Sequence, residues 1–594
     1  MNQSNNHKNK SQSVSFDTPI ISIRSRKYLP EGFEMNAWDD AKPYYEELNN
    51  RPINSVEELK KWMLDRNELE NYIAENVAWR YINYTRNTED SDIRSRYLFY
   101  INQIKPKISP FTNLLDKKLI DCPFQNELKD EGYKIYLRTT RNEIELYRDE
   151  NIPLTVESEE KAQEYAEIQA AMTIEYGGVE LTMQQAAKYL KSPDRKVRKE
   201  VYDKVIARRL QDAQRLDLLF SELVKLRHQM AVNAGFDNFR DYKFRLLGRF
   251  DYTIEEVYQF HESVKQEFAP LAEFIIEQKR KKLGLDVMRP YDIDAEPAGE
   301  EPLKPYEDSE DLINKGVTIF GKLNKSLGNY LSVMHDKGYL DLDSRKGKAP
   351  GGYNYPLDEI GIPFIFMNAS GKFRDMVTMM HEGGHAIHSF LARGLPLSVF
   401  KHTPSEVSEL ASMSMELLSM GKWDIFFDNP KELVRAQLEQ LESIVDSLPW
   451  IATVDKFQNW IYTHPEHTIQ ERSDEWVKIF KEFQPDSVDW TGYEAAMISN
   501  WQKQLHIFEV PFYYIEYGIA QLGALAVWKN YKNNPELGLE KYLNALKLGY
   551  TRSVPEIYKE AGISFDFSLP YIKDIADFLK HELELLETNV PEIV

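Results

Sequence analysis

His381, Glu382 and His385 are the residues of this chain whose types and spacing point most directly to chemistry. They sit in the stretch FRDMVTMMHEGGHAIHSFLARG, residues 373–394. On an α-helix, imidazoles four residues apart share one face and can bind a single metal ion. Glu382 stands beside the first imidazole, where its carboxylate can act as general base toward water activated by that metal. This is the H-E-x-x-H arrangement of zinc peptidases. With 12 His in 594 residues, chance gives roughly 0.2 pairs at this spacing, and about 0.04 once an acid must follow the first His. The bland alternative is an amphipathic helix with two surface His. Met376, Val377, Met380, Ile387, Phe390 and Leu391 give that helix an apolar stripe for burial. Gly383 and Gly384 each weaken a helix by about 1 kcal/mol relative to Ala, so they read as room for something, such as a substrate, to approach the backbone.

A catalytic zinc site takes three protein ligands and keeps a position open. The next stretch, KHTPSEVSELASMSMELLSMGKW, supplies carboxylates. Thr403-Pro404-Ser405-Glu406 reads as a helix start, with Thr403 as N-cap, Pro404 at the first helical position and Glu406 closing a capping box. Glu409 and Glu416, seven apart, share one face two turns apart. An unpaired Glu in so apolar a run is costly, and coordination removes that cost. Glu409 can therefore be the third ligand, and Glu416, two turns along, can orient a ligand imidazole from behind. His388, three residues past His385, reads as a capping or packing residue, with His402 a nearby competitor. His464-Pro465-Glu466-His467 reads as a turn without the required spacing.

The elements that must hold these groups read as helices. Helical periodicity dominates from about Val56 onward, and recurs in DRKVRKEVYDKVIARRLQDAQRLDLLFSELVKLRHQMAVNAG. Residues 174–181 read as a hairpin around Gly177-Gly178, followed by a helix with Thr182 as N-cap. Residues 295–306, rich in Pro and Glu, read as a loop between helical layers, and 345–356 as a basic Gly/Pro loop. IGIPFIFMN, 360–368, is the best strand candidate, and Pro363 predicts an edge position. As an edge beside the helix it would pair with an extended peptide through Phe364 and Phe366, under a loop of Gly351, Gly352 and Tyr353.

Length allows two or more domains. The reading is a disordered polar tail over 1–20, an N-terminal helical region over 21–200 and a catalytic region over 201–594. A net charge of −21 argues against nucleic acid and anionic membrane as partners. Cys122 is the only cysteine, so no intramolecular disulfide framework exists, in keeping with a cytoplasmic protein. No apolar run is long enough to span a bilayer, and the first residues lack the apolar core of a secretory signal. Oligomeric state stays open.

These motifs resemble the thimet oligopeptidase and oligoendopeptidase F metallopeptidases. His381-Glu382-Gly383-Gly384-His385 carries the likeness, with Glu409, Glu416, the approach PFIFMNASGKFRDMVTMMHEGGHAIH, the stretch HIFEVPFYYIEYGIAQLGAL and the close PEIYKEAGISFDFSLPYIKDIADFL. It is strongest to the oligoendopeptidase F branch. The resemblance implies a mainly α fold, with two helical halves enclosing a deep channel and a small β-sheet beside one Zn²⁺. It implies an endopeptidase for short unstructured peptides, with His506 and a Tyr of the C-terminal stretch facing the metal. On a helix Tyr514 and Tyr517 share a face while Tyr513 points elsewhere, so Tyr514 and Tyr517 are the expected phenols. Two alternatives stand beside this: a dipeptidyl carboxypeptidase on the same site, marked by a fixed cation for the substrate's C-terminal carboxylate, and an inactive peptide-binding relative.

Overall fold

The computed structural model describes residues 26–297 and 302–588. The expected N-terminal tail lies outside them, as does part of the 295–306 loop; Pro290–Asp292, just before that loop, forms a short 3₁₀ turn. The fold is mainly α, as the resemblance implied. Ser55 caps the helix Val56–Arg86, its side chain accepting from Glu58 N. The longest helix, Arg195–Asn233, buries Leu216, Leu219, Leu223 and Val224 along one stripe. No helix among the described residues is long and apolar enough to cross a membrane.

Two apolar clusters organise the chain. The larger joins Met376, Met380, Ile387 and Phe390 of the helix Phe373–Ala392 (the motif helix) to Leu410 and Met415 of the helix Ser405–Ser419 (the ligand helix). It continues into Ile519 and Leu522 of the helix Tyr514–Asn533 (the tyrosine helix). A separate N-terminal cluster holds Trp38, Tyr45, Trp62 and Leu119, and takes in Leu397 and Phe400, which follow the motif helix. That segment is thus anchored in the N-terminal part of the fold.

Strands are few. β1 (Thr173–Tyr176) and β2 (Val179–Thr182) form the expected hairpin, with Gly177 and Gly178 at φ 61° and 77° in its turn. Thr182 caps the following helix in a capping box with Gln185. The second sheet holds β3 (Leu340–Asp343), β4 (Tyr353–Tyr355) and β5 (Phe364–Ala369), in the order β3-β5-β4. β5 is therefore central, not the edge that Pro363 suggested. The proline ends just before the strand, so its missing N–H removes no ladder bond. β5 pairs in parallel with β3 and antiparallel with β4, Tyr353 opposite Phe366 and Tyr355 opposite Phe364. Phe364 and Phe366 are buried against Ala78 and Ile82 of the Val56–Arg86 helix. With both edges taken and both rings buried, β5 has nothing to offer a peptide; the edges are β3 and β4.

The sheet is clamped to that helix. Thr85 Oγ1 and the Tyr353 hydroxyl lie 2.7 Å apart, and Ala349 N donates to Thr85 O at 2.7 Å. Asp341 collects Arg86, Arg345 and Lys348 at 2.6–2.8 Å. Burial alone would raise its carboxyl, but these three cations hold it well below the usual carboxylate range. From β5 the chain turns into the motif helix around Asp375, which accepts from Ser370 N at 2.6 Å, Lys372 N at 3.0 Å and the Tyr306 hydroxyl at 2.7 Å.

Candidate metal centre and cleft

The motif helix presents His381 and His385 on one face, ring centroids 4.9 Å apart and nearly perpendicular. The ligand helix crosses it with Glu409 facing them. Glu409 Oε2 lies 3.4 Å from His381 Nε2 and 3.8 Å from His385 Nε2. One donor atom from each of the three falls within 4.8 Å of the others, close enough to hold one metal ion. Glu416, on the same face two turns on, places Oε1 2.6 Å from His381 Nδ1. Gln440 Nε2 donates to the other oxygen of Glu416 at 2.7 Å. This chain of contacts leaves His381 Nε2 directed at Glu409.

The two glycines do leave room for a close approach to the backbone, as their position suggested. A Cβ on Gly384 would stand 2.7 Å from Ser412 Cα and 2.8 Å from Ala411 O, both backbone atoms of the ligand helix. A Cβ on Gly383 would stand 2.5 Å from Phe320 Cζ. What approaches the backbone here is the ligand helix and a core ring, not a substrate. Helix packing this close lets the short Glu409 side chain reach both imidazoles. Gly384→Ala is expected to push the helices apart, lowering stability by about 1–3 kcal/mol and weakening metal binding. Metal titration beside thermal melting checks it; unchanged affinity would show that the close crossing is dispensable.

The Thr403–Glu406 reading needs a correction. The ligand helix begins at Ser405 with Pro404 at the N-cap position and no side-chain cap. Thr403 Oγ1 instead meets Ser408 Oγ at 2.9 Å. Glu406 turns inward: it accepts from the Tyr252 hydroxyl at 2.6 Å and lies 4.0 Å from Arg249 Nε. Arg249 also donates to Glu516 Oε1 at 2.8 Å and to Phe512 O at 2.5 Å. A capping box needs an exposed glutamate; this one is buried in an ionic cluster.

That cluster sets the second half of the site. Phe512 is the one non-glycine residue with positive φ among the described residues, at 66°. Its N–H donates to Gln458 Oε1 at 2.9 Å, so buried side chains hold both of its backbone groups. A bulky residue in this region is strained, and the surroundings over-determine it. The turn aims Tyr513 at the His381, His385 and Glu409 group: its hydroxyl donates to Glu409 Oε1 at 3.0 Å. Tyr513 and Tyr517, ring centroids 5.3 Å apart, both line the cleft. Tyr514 packs against His506 at 4.7 Å and is not part of the cleft lining. The expected register, with Tyr514 and Tyr517 inward and Tyr513 outward, is thus replaced by an i, i+4 pair of Tyr513 and Tyr517.

His506 sits among these rings, 6.3 Å from Tyr513 and 5.7 Å from Tyr517, with Nδ1 2.7 Å from Gln504 Nε2. Arg227 holds its turn, bonded to the Tyr462 hydroxyl at 2.7 Å and to the carbonyls of Ile507 and Phe508. Burial lowers His506 to about 4, opposed by the charge of Glu409.

Glu382 is 6% exposed, and its Oε2 has no hydrogen-bond partner. Burial pushes its carboxyl up to about 7; His381 opposes this, while Glu409 and Glu416 add to it. Burial would raise Glu409 too, but the His381 hydrogen bond, both imidazoles and Tyr513 hold it at about 2. Gly352, Tyr353 and Asn354 line the same cleft beside Glu382. A Cβ on Gly352 would lie 3.8 Å from Glu382 Oε1, which puts this backbone close to the carboxylate. Gly351, at φ 97°, lies behind the lining, its carbonyl accepting from Asn368 Nδ2 at 2.8 Å. The cleft measures about 470 Å³. His464 and His467 lie in a turn away from it.

Comparison with known proteins agrees with this geometry. Residues 188–577 match the model of peptidase family M3, and residues 31–147 that of the peptidase M3 N-terminal domain. The chain belongs to peptidase family M3. Among curated relatives, it is 23% identical over 345 residues to oligopeptidase PepF of Bacillus subtilis, covering 56% of this chain and 49% of that one. It is 22% identical over 422 residues to an oligoendopeptidase F homolog of Lactococcus lactis, covering 70% and 66%. The chain thus spans between half and two thirds of the length of these relatives. Among solved structures, PZ peptidase A with an inhibitor superposes with a TM-score of 0.86 at 26% identity, over 95% of this chain and 99% of that one. Oligoendopeptidase F from Enterococcus faecium shares the fold, with a TM-score of 0.62 at 15% identity over 93% and 97%. The M3 match agrees with the oligoendopeptidase F branch that the motifs resembled.

Proposed function

We propose that this M3 family member is a zinc-dependent endopeptidase that hydrolyses internal bonds of short unstructured peptides. The observation that carries the reading is the meeting of His381, His385 and Glu409 donors within 4.8 Å, beside a buried Glu382 whose Oε2 is unsatisfied. Two imidazoles and a carboxylate are a donor set that suits Zn²⁺, one per chain. Zinc held there would supply Lewis-acid charge at the substrate carbonyl and acidify water. Glu382 Oε2 takes a proton from the attacking water and delivers it to the leaving amine. The Tyr517 hydroxyl donates to the oxygen on which charge develops, with His506 beside it. Tyr513 holds Glu409, and Glu416 holds His381, so each is a positioning residue. β4, with Gly352 and Tyr353, offers the backbone edge to an extended peptide. The single buried cysteine, Cys122, supports a reducing setting such as the cytoplasm.

A length-graded series of quenched fluorescent peptides, with and without chelator, tests this. Peptides of about 5–20 residues are expected to be cut at up to 3.3 Å of extended chain per residue, while folded proteins persist. Rapid digestion of a stable folded domain, or full activity with chelator, would refute the reading.

The tyrosines separate by role. Tyr517→Phe is expected to lower kcat by about 10²–10³-fold with little change in KM and zinc intact. Tyr513→Phe, which frees Glu409, is expected to weaken zinc binding by about 10–100-fold. Tyr514→Phe is expected to change neither. Kinetics with metal analysis decide the order; a silent Tyr517→Phe would remove that phenol from the reaction.

A further inference from the structure

The segment behind His506 fixes which of its two ring nitrogens carries the proton. Trp450, on the helix Pro430–Thr463, donates its indole Nε1–H to Gln504 Oε1 at 2.9 Å. An indole N–H is a donor only, so the atom it meets is the amide oxygen, and the orientation of the Gln504 amide follows. Its NH₂ group then faces His506, with Nε2 2.7 Å from Nδ1. An amide NH₂ only donates, so Nδ1 accepts and carries no proton. The proton of the neutral ring is therefore on Nε2, on the side of the imidazole away from Gln504. Gln504 is itself pinned at the start of the helix Leu505–Glu509: its N–H donates to Trp501 O at 3.0 Å, and its carbonyl accepts from Ile507 N at 3.2 Å. Lys503 Nζ lies 5.0 Å from the centre of the Trp450 ring and steadies the indole. Among the described residues His506 Nε2 has no hydrogen-bond partner, and the ring is only half-buried. Around it stand Tyr513 and Tyr517 of the cleft lining, at 6.3 and 5.7 Å, and Tyr514 at 4.7 Å. Glu409 is the charge that acts on the ring; burial outweighs it and lowers the imidazole to about 4, so the ring is neutral at neutral pH.

We propose that Gln504 is a positioning residue: backed by Trp450, it holds His506 as the Nε2–H tautomer, so that the ring acts beside Tyr517 as a hydrogen-bond donor and not as an acid or base. The identity of the oxygen that receives this bond rests on the peptidase reading; the tautomer does not. A donor oriented in advance costs no reorganisation when charge develops on that oxygen, which is where such a bond gains most. Gln504 touches neither substrate nor metal ligand in this scheme and works only through the imidazole.

Histidine-selective ¹⁵N NMR on the full-length, zinc-loaded chain reads the tautomer directly. With 12 His in the chain, the His506 resonances are assigned by their loss in His506→Gln. The expected result is a bare Nδ1 and a protonated Nε2 at neutral pH; a proton on Nδ1, or an even mixture of tautomers, overturns the proposal. Gln504→Glu reverses the partner, because a carboxylate only accepts and draws a proton onto Nδ1. At low pH the imidazolium of that variant still has its Nε2–H. As pH rises the ring gives up that proton and keeps the one on Nδ1, so the donor becomes an acceptor. The kcat of Gln504→Glu relative to wild type is therefore expected to fall with rising pH, to about 10²–10³-fold below it, with KM little changed. Gln504→Met, which leaves both tautomers open, is expected to lie between the two without that pH step, and Trp450→Phe to give mixed tautomers in the NMR. Melting curves confirm that the variants fold. A ratio for Gln504→Glu that stays flat across pH overturns the proposal, because a purely structural role for Gln504 would give that result. Absence of peptide cleavage by the wild-type chain would instead overturn the peptidase reading, and the NMR still decides the tautomer.

Discussion

Glu382→Gln is expected to keep its metal and lose nearly all turnover. The substitution preserves side-chain shape, and the three donors of His381, His385 and Glu409 stay within 4.8 Å of one another. What disappears is the only function assigned to Glu382, proton transfer at Oε2. That atom makes no hydrogen bond within the protein, so no structural contact is lost with it. General-base catalysis contributes about 10²–10⁴-fold, and this residue serves both proton transfers, so kcat should fall by at least the upper part of that range. KM should change little. Metal content by elemental analysis, measured on the same preparation as the kinetics, checks the result. A variant with near-normal kcat would end the mechanism, because the other two carboxylates beside His381, Glu409 and Glu416, are already engaged with its imidazole.

The second large effect is a contrast between neighbours on one helix. Glu409→Ala should abolish tight metal binding, since it removes one of three donors and leaves Tyr513 without its acceptor. Glu406→Ala should leave metal binding intact and lower stability by about 2–4 kcal/mol, in the range for breaking a buried charged pair. Loss of a capping glutamate, the role its sequence position suggested, would cost only about 1 kcal/mol. The larger figure follows from the Tyr252 hydroxyl, which loses a buried acceptor, and from the Arg249 guanidinium, which loses a buried countercharge 4.0 Å away. Glu516 still pairs with Arg249 at 2.8 Å, which keeps the cost below the top of the range. Glu406→Gln should cost less, because it can still accept from Tyr252. Zinc titration with denaturant melts on all three variants checks this. A zinc loss in Glu406→Ala matching that of Glu409→Ala would mean that the ionic cluster sets the ligand geometry.

Local periodicity was enough for the helices and for the groups that could meet at one metal. The spacing of His381 and His385 is a property of a single helix, as is that of Glu409 and Glu416, and helical geometry follows from the backbone. The hairpin at Gly177-Gly178 and the Thr182 cap were legible for the same reason: their physics lies within a few residues. Where the sequence reading failed, the deciding contact was distant along the chain. Pro363 marks a strand edge only if it falls inside the strand, and the pairing with β3 and β4 starts after it. The glycines of the motif helix were read from helix propensity, but their partners, Phe320 and the backbone at Ala411 and Ser412, are far away in sequence. Glu406 was assigned by a local pattern that Arg249 and Tyr252 override. Tyr513 was turned outward by assuming a helix that runs through it, whereas the helix starts at Tyr514 after a left-handed Phe512. The sequence by itself determined which side chains could do the chemistry and which helices carry them. The tertiary structure decided which face each helix turns inward, because burial of charge and close packing between elements depend on partners that no local pattern names.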